Sequence, residues 1–188
     1  PINIGVVGVG HLGIHHVKHY TTIPNVNLLG IYDPDVKRSN YVSKKYKTVA
    51  FQSLKKLIQN VDALSIVTPT PNHYKTAKLC IENKKHVFIE KPITVNLEEA
   101  NNLLDLSKNN STIIQVGHIE RLNPALMALE PYFVKPKFIE IQRLAPYTVR
   151  GTDVPVVLDK MIHDIDILLS LVKSEVASLE ATGMSIIT

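Results

Sequence analysis

The residues best suited to chemistry are a lysine and a histidine, each set in a polar cluster. Lys91 stands in Glu90-Lys91-Pro92, directly after the apolar run His86–Ile89. A lysine held at the mouth of an apolar sheet can have its pKa lowered and serve as an acid or base. Asp159 and His163 lie four residues apart in the stretch 159–166, so on a helix they share one face. His163 suits proton transfer near neutral pH. Asp159 would orient it or meet a substrate hydroxyl. Each cluster also has a plainer reading: a surface lysine before a proline, and a structural histidine whose nitrogens are satisfied. No metal site is expected, because no HExxH-type motif accompanies the histidine and its aspartates.

A second set of residues fits a phosphate-bearing cofactor. The first residues run from an apolar stretch, Ile4 to Val9, into Gly8, Gly10 and Gly13 and then a helix. Gly8 permits a tight turn, Gly10 lets a pyrophosphate approach the backbone, and Gly13 lets the helix pack close to the strand. The free N–H groups near His11 and Leu12 then face the anion. Asp33 follows Gly13 by 20 residues, at the end of a second apolar run. A carboxylate there accepts hydrogen bonds from a ribose 2′-OH and repels a 2′-phosphate, which favours NAD over NADP. Arg38 and Lys37 nearby soften that preference. Asp33 is alternatively an ordinary helix cap. Thr68-Pro69-Thr70-Pro71-Asn72-His73 is a stiff loop that would bring Thr hydroxyls to the cofactor cleft, or simply a rigid connection with Asn72 as a cap.

These clusters must be positioned by alternating elements. The pattern predicts strands at Ile4–Val9, Asn27–Tyr32, Thr48–Phe51, Ala63–Val67, His86–Ile89 and Thr112–Val116. Helices are expected at about 12–20, 35–46, 54–59, 72–83 and 96–109, with Ser53 and Asn96 as caps. Nearly continuous apolar strands in a βαβα order define an α/β Rossmann-type parallel sheet covered on both faces. Ligands bind such sheets at the carboxyl ends of the strands, where Gly10–Gly13, Asp33, Thr68–His73, Glu90–Pro92 and His118–Asn123 all fall. After Pro124 the texture changes to that of a partial α+β domain with a mostly antiparallel sheet. A short helix over 125–133 precedes a strand pattern at Lys137–Leu144. A helix over 154–172 follows, then strand patterns at 176–181 and 184–187. The expected division is a dinucleotide-binding domain at 1–122 and the first, apparently incomplete, part of a second domain at 123–188.

The 188 residues are 45% hydrophobic and 20% charged, as in ordinary globular proteins, with a formal charge of +4. The basic pairs sit among helical residues and read as solvated faces. No basic tract interleaved with aromatics points to nucleic acid. No apolar run reaches the roughly 18–20 residues needed to cross a bilayer. The first residues already form a core strand, so no signal peptide is expected. Cys80 is the only cysteine and reads as a buried hydrophobe. A cytoplasmic protein is expected.

Taken in this order, Gly8–Gly13, Asp33-Pro34, Thr68–His73, Glu90–Pro92 and Asp159–His163 resemble the Gfo/Idh/MocA family of oxidoreductases. The resemblance covers essentially the whole chain. It implies a Rossmann domain followed by an α/β domain whose open sheet packs against other subunits, as a homo-oligomer (dimer or tetramer). It implies a catalytic centre of Lys91, Asp159 and His163, with Glu90 near the nicotinamide ribose. In the segment 116–124 it brings His118, Arg121 and Asn123 to the substrate or cofactor. That segment and Arg150–Asp153 are similar to members acting on UDP-linked N-acetyl sugars at the sugar 3-position. The expected activity is NAD-dependent hydride transfer from a secondary alcohol of a sugar or nucleotide sugar. The alternatives are a non-catalytic dinucleotide or sugar sensor, or a same-fold reductase or NAD-recycling glycosidase.

Overall fold

The computed structural model describes residues 1–132, 135–144 and 154–184. Six parallel strands form one sheet in the order β3-β2-β1-β4-β5-β6. They are β1 (Ile2–Val7), β2 (Val26–Tyr32), β3 (Val49–Ala50), β4 (Ala63–Ile66), β5 (His86–Ile89) and β6 (Ile114–Val116). The helices between them are α1 (His11–Tyr20), α2 (Val36–Tyr46), α3 (Leu54–Asn60), α4 (His73–Glu82) and α5 (Leu97–Asn110). All six expected strands are present, several of them one or two residues shorter at an end than the apolar runs, while β1 and β2 begin earlier.

Side-chain alternation divides the core into two layers. Val6, Val17, Ile31 and Val42 pack together on the face covered by α1 and α2. Val7, Leu64, Ile66, Ile81, Val87, Ile89 and Leu103 form the other core with α3, α4 and α5. Cys80 is buried there, and burial pushes its thiol pKa up to about 12, which leaves it inert. The predicted caps at Ser53 and Asn96 hold: their side chains accept from the N–H groups of Lys56 and Glu99. Asn72 does not cap. It ends a 3-10 turn, Thr70–Asn72, that enters α4, and its side chain makes no capping bond.

Beyond β6 the helices are α6 (Pro124–Met127) and α7 (Ile162–Leu171), the latter preceded by a π-helical turn, Val157–Met161. The expected 125–133 helix is thus one turn of α6 and a 3-10 turn, Glu130–Tyr132; Phe133 lies outside the described residues. The described residues 135–144 and 172–184 carry no strand. Phe138 is 81% and Leu144 91% exposed, as befits strand sequences without a ladder to join. Most of the 184–187 strand and all of Arg150–Asp153 lie outside the described residues. None of the described helices is long and apolar enough to cross a membrane.

Candidate active site

The turn after β1 is built by backbone constraint. Gly8 has φ +86°, a left-handed conformation that an L side chain rarely adopts. A Cβ on Gly13 would lie 1.9 Å from the Gly8 carbonyl oxygen, so the helix packs where only glycine fits. Asp33 fastens this turn to β2: its carboxylate accepts from the Val9 N–H at 2.8 Å and from the Asp35 N–H at 2.9 Å. Asp33 is therefore not an N-cap; Asp35 fills that role for α2.

A cavity of about 660 Å³ opens above this turn. Of the expected cofactor residues, Gly8, Gly10, His11, Leu12, Asp33, Arg38, Thr68, Pro69 and Asn72 line it. Five others do not. Gly13 acts through packing. Thr70 is buried behind the loop. His73 is 1% exposed, with its ring nitrogens 2.8 Å from the carbonyl oxygens of Pro92 and Thr68. It ties the Thr68 loop to the turn after β5, because an imidazole this buried must spend its nitrogens on protein partners. Glu90 and Lys91, the latter also expected at the cofactor, belong to a second cavity. Tyr32, Lys75 and Thr76 also line the first cavity; they lie within regular elements, where no motif marks them.

The residues present fit a dinucleotide. No side chain caps α1, so its first N–H groups face the cavity beside Gly10. Thr68 Oγ1 is buried with no hydrogen-bond partner among the described residues. The half-exposed guanidinium of Arg38 stands 4.0 Å from Asp33, at the corner where an adenosine ribose would meet both.

The second cavity, about 610 Å³, shares Leu12 with the first. Lys91, Glu90 and His163 line it together with α1 residues His15, His16, His19 and Tyr20. Lys91 Nζ donates to the Asp159 carboxylate at 2.9 Å and to the Asp159 carbonyl at 2.8 Å. Asp159 thus holds Lys91 and not His163. Burial opposes ionisation of Asp159, but Lys91 outweighs it and keeps the carboxyl below its ordinary pKa of 3.8. His163 Nδ1 has no partner among the described residues. Burial first, and the Lys91 charge second, lower the His163 pKa below 6.5, so the ring is neutral at pH 7.

The expected substrate residues in the segment after β6 have other engagements. Arg121 forks onto the Asp166 carboxylate at 2.7 and 2.6 Å, with His118 Nδ1 at 3.7 Å from the same group. Asn123 caps α6, accepting from Ala125 N–H. None of the three lines either cavity. Charged side chains close in sequence to a site find one another when their carboxylate partner sits on an adjacent helix.

A glycine turn at a helix start, at the carboxyl end of a parallel sheet in this strand order, defines a dinucleotide-binding fold of Rossmann type. The chain belongs to the Gfo/Idh/MocA family: residues 2–118 match the family model described as an oxidoreductase family with an NAD-binding Rossmann fold. The UDP-N-acetylglucosamine 3-dehydrogenase of Acidithiobacillus ferrooxidans is 38% identical over 185 residues, covering 98% of this chain and 58% of its own length. A solved structure of that enzyme superposes with a TM-score of 0.94 at 37% identity, over 100% of this chain and 61% of that one. The scyllo-inositol 2-dehydrogenase (NAD(+)) of Bacillus subtilis is 29% identical, over 97% of this chain and 57% of its own. The chain thus spans somewhat over half the length of the relatives it matches.

Proposed function

We propose that the protein is an NAD-dependent dehydrogenase that oxidises a secondary alcohol on a sugar or nucleotide sugar, with UDP-N-acetylglucosamine at the 3-position, the substrate in the name of one relative, as the narrower candidate. The observation that carries this reading is the convergence of His163 and of Lys91, anchored by Asp159, on one cavity beside the glycine turn. The 38% identity to a relative of that name supports the narrower substrate. Bound NAD would supply the hydride acceptor. The neutral His163 takes the hydroxyl proton. Lys91, its ammonium anchored by Asp159, donates a hydrogen bond to the same oxygen as negative charge develops there. In the reverse direction the same groups return the proton. Asp33 prefers the 2′-OH of NAD, while Arg38 offers a 2′-phosphate some welcome. In this reading residues 1–122 are the NAD-binding domain. Residues 123–188 open the substrate and oligomerisation domain, whose mostly antiparallel sheet joins copies into a dimer or tetramer in the cytoplasm.

In the intact protein, Lys91→Ala and His163→Ala should each lower kcat by about 10²–10⁴-fold. The Kd for NAD should change little. Absorbance of the reduced cofactor with UDP-N-acetylglucosamine reads the first, and calorimetry the second. Turnover near wild type in either variant would remove that residue from the mechanism. If the unmodified protein reduced no cofactor with any sugar or UDP-sugar, the dehydrogenase reading would fail in favour of a dinucleotide sensor.

A further inference from the structure

His16 has no part in the chemistry just described, yet it joins α1 to the turn that bears Lys91. Its Nε2 lies 3.0 Å from Glu90 Oε1 and its Nδ1 2.8 Å from Ser65 Oγ. A carboxylate only accepts, so Nε2 carries a proton toward Glu90, while Nδ1 shares a hydrogen bond with the serine hydroxyl. The imidazole is braced edge-on by Phe88 and Tyr20, with ring centroids 5.6 and 6.4 Å away.

Glu90 is confined by this contact. Its side chain is 14% exposed. Its second oxygen accepts the Lys91 backbone N–H at 3.3 Å. Gly117 walls it from behind: a Cβ there would come within 3.2 Å of the carboxylate carbon and both oxygens. The carboxylate is thus clamped between an imidazole and bare backbone, and it grips the peptide N–H of Lys91. Asp159 holds the other end of that lysine.

We infer that His16 is a positioning residue: through Glu90 it fixes the backbone from which Lys91 reaches the substrate oxygen. The inference rests on the dehydrogenase reading of Lys91. The electrostatics agree with the geometry. Burial alone would raise the Glu90 pKa, and the hydrogen bond and charge of His16, then those of Lys91, bring it below 4.5. The titratable groups around Glu90 are His16 and Tyr20 from α1, Lys91 on its own turn, and His15, His19, Glu120 and His163 across the same cavity.

Two measurements on the intact protein test this. In turnover, His16→Ala should lower kcat about 10²-fold, the loss expected of a displaced reacting group, with the Kd for NAD nearly unchanged. His16→Gln, whose amide N–H reaches as far as Nε2, should restore most of that rate. His16→Asn, too short for Glu90, should not. The second measurement needs no turnover. With ¹³C at the Glu carboxyl carbons, and Glu90 assigned by its absence in Glu90→Gln, the Glu90 titration should move to higher pH in His16→Ala and His16→Asn. It should stay near wild type in His16→Gln. If His16→Ala does not fold, His16→Asn makes the same comparison. An unshifted Glu90, or a full rate in the Ala or Asn variant, overturns the inference. If the unmodified protein reduces no cofactor, the proposed function fails, and an unshifted Glu90 overturns the inference separately.

Discussion

Thr68 Oγ1 is a buried hydroxyl without a partner in the described protein, and an unpaired buried polar group costs about 1–3 kcal/mol. A dinucleotide in the adjoining cavity would offer it phosphate, ribose or amide atoms. Thr68→Val keeps the shape and removes the hydroxyl. The unliganded variant should therefore be no less stable in urea unfolding than the wild type. Its affinity for NAD by calorimetry should fall roughly 2- to 10-fold, the worth of one neutral hydrogen bond. Lower stability with unchanged affinity would show that the hydroxyl serves the fold instead. Thr68 was legible in the sequence because proline-rich loops at strand ends advertise themselves. His16 was not: its partners stand 49 and 74 residues away, and no local spacing connects them. Asp33 falls between. Its place was readable, but not that both its oxygens already hold backbone N–H groups of the glycine turn and the α2 entry.

At the scale of elements, cap chemistry shows where local rules succeed. Asn96 accepts from the Glu99 N–H at 2.8 Å, and Glu98 and Glu99 sit in the first turn of α5, where the helix dipole favours them. Asn72 has the same residue type ahead of a similar helix but sits inside a 3-10 turn. Asn96→Ala should thus cost about 1 kcal/mol in urea unfolding, while Asn72→Ala should cost little. Equal losses would contradict the assigned geometry. The six strands and five intervening helices were legible because apolar periodicity and Gly, Pro and Asn punctuation agree. Strands over 137–144 and 176–181 were expected on the same grounds but did not form. Alternation specifies only which face a strand buries; the ladder that makes it a strand must come from other segments.

At the scale of the whole molecule, the 159–166 stretch is tied to the rest by ion pairs. Asp159 meets Lys91, Asp164 forks with Arg143 at 2.8 and 2.6 Å, and Asp166 forks with Arg121. Arginine hydrogen bonds are the main reason Asp164 and Asp166 titrate below 3.8; for Asp159, Lys91 overcomes burial. The sign follows from linkage. Carboxylates with depressed folded pKa values contribute fully above their unfolded value, and lose that contribution as pH falls through the folded one. Amide protection in α7 should therefore hold above about pH 4 and decline progressively as pH falls below it through the lowered folded values, while β1 and β4 stay protected. Simultaneous loss in α7 and the sheet would show that these pairs are not what docks the helix. The partners are 68, 21 and 45 residues apart, which is why no sequence pattern announced them.

The lysine of the site belongs to the sheet, but its anchoring carboxylate comes from the π-helical turn before α7. Each part therefore holds only half of a working centre. In the proposed enzyme the sheet would carry the cofactor, and the helical segment would aim the ammonium of Lys91. Lys91 would thus be aimed only where that segment is seated against the sheet.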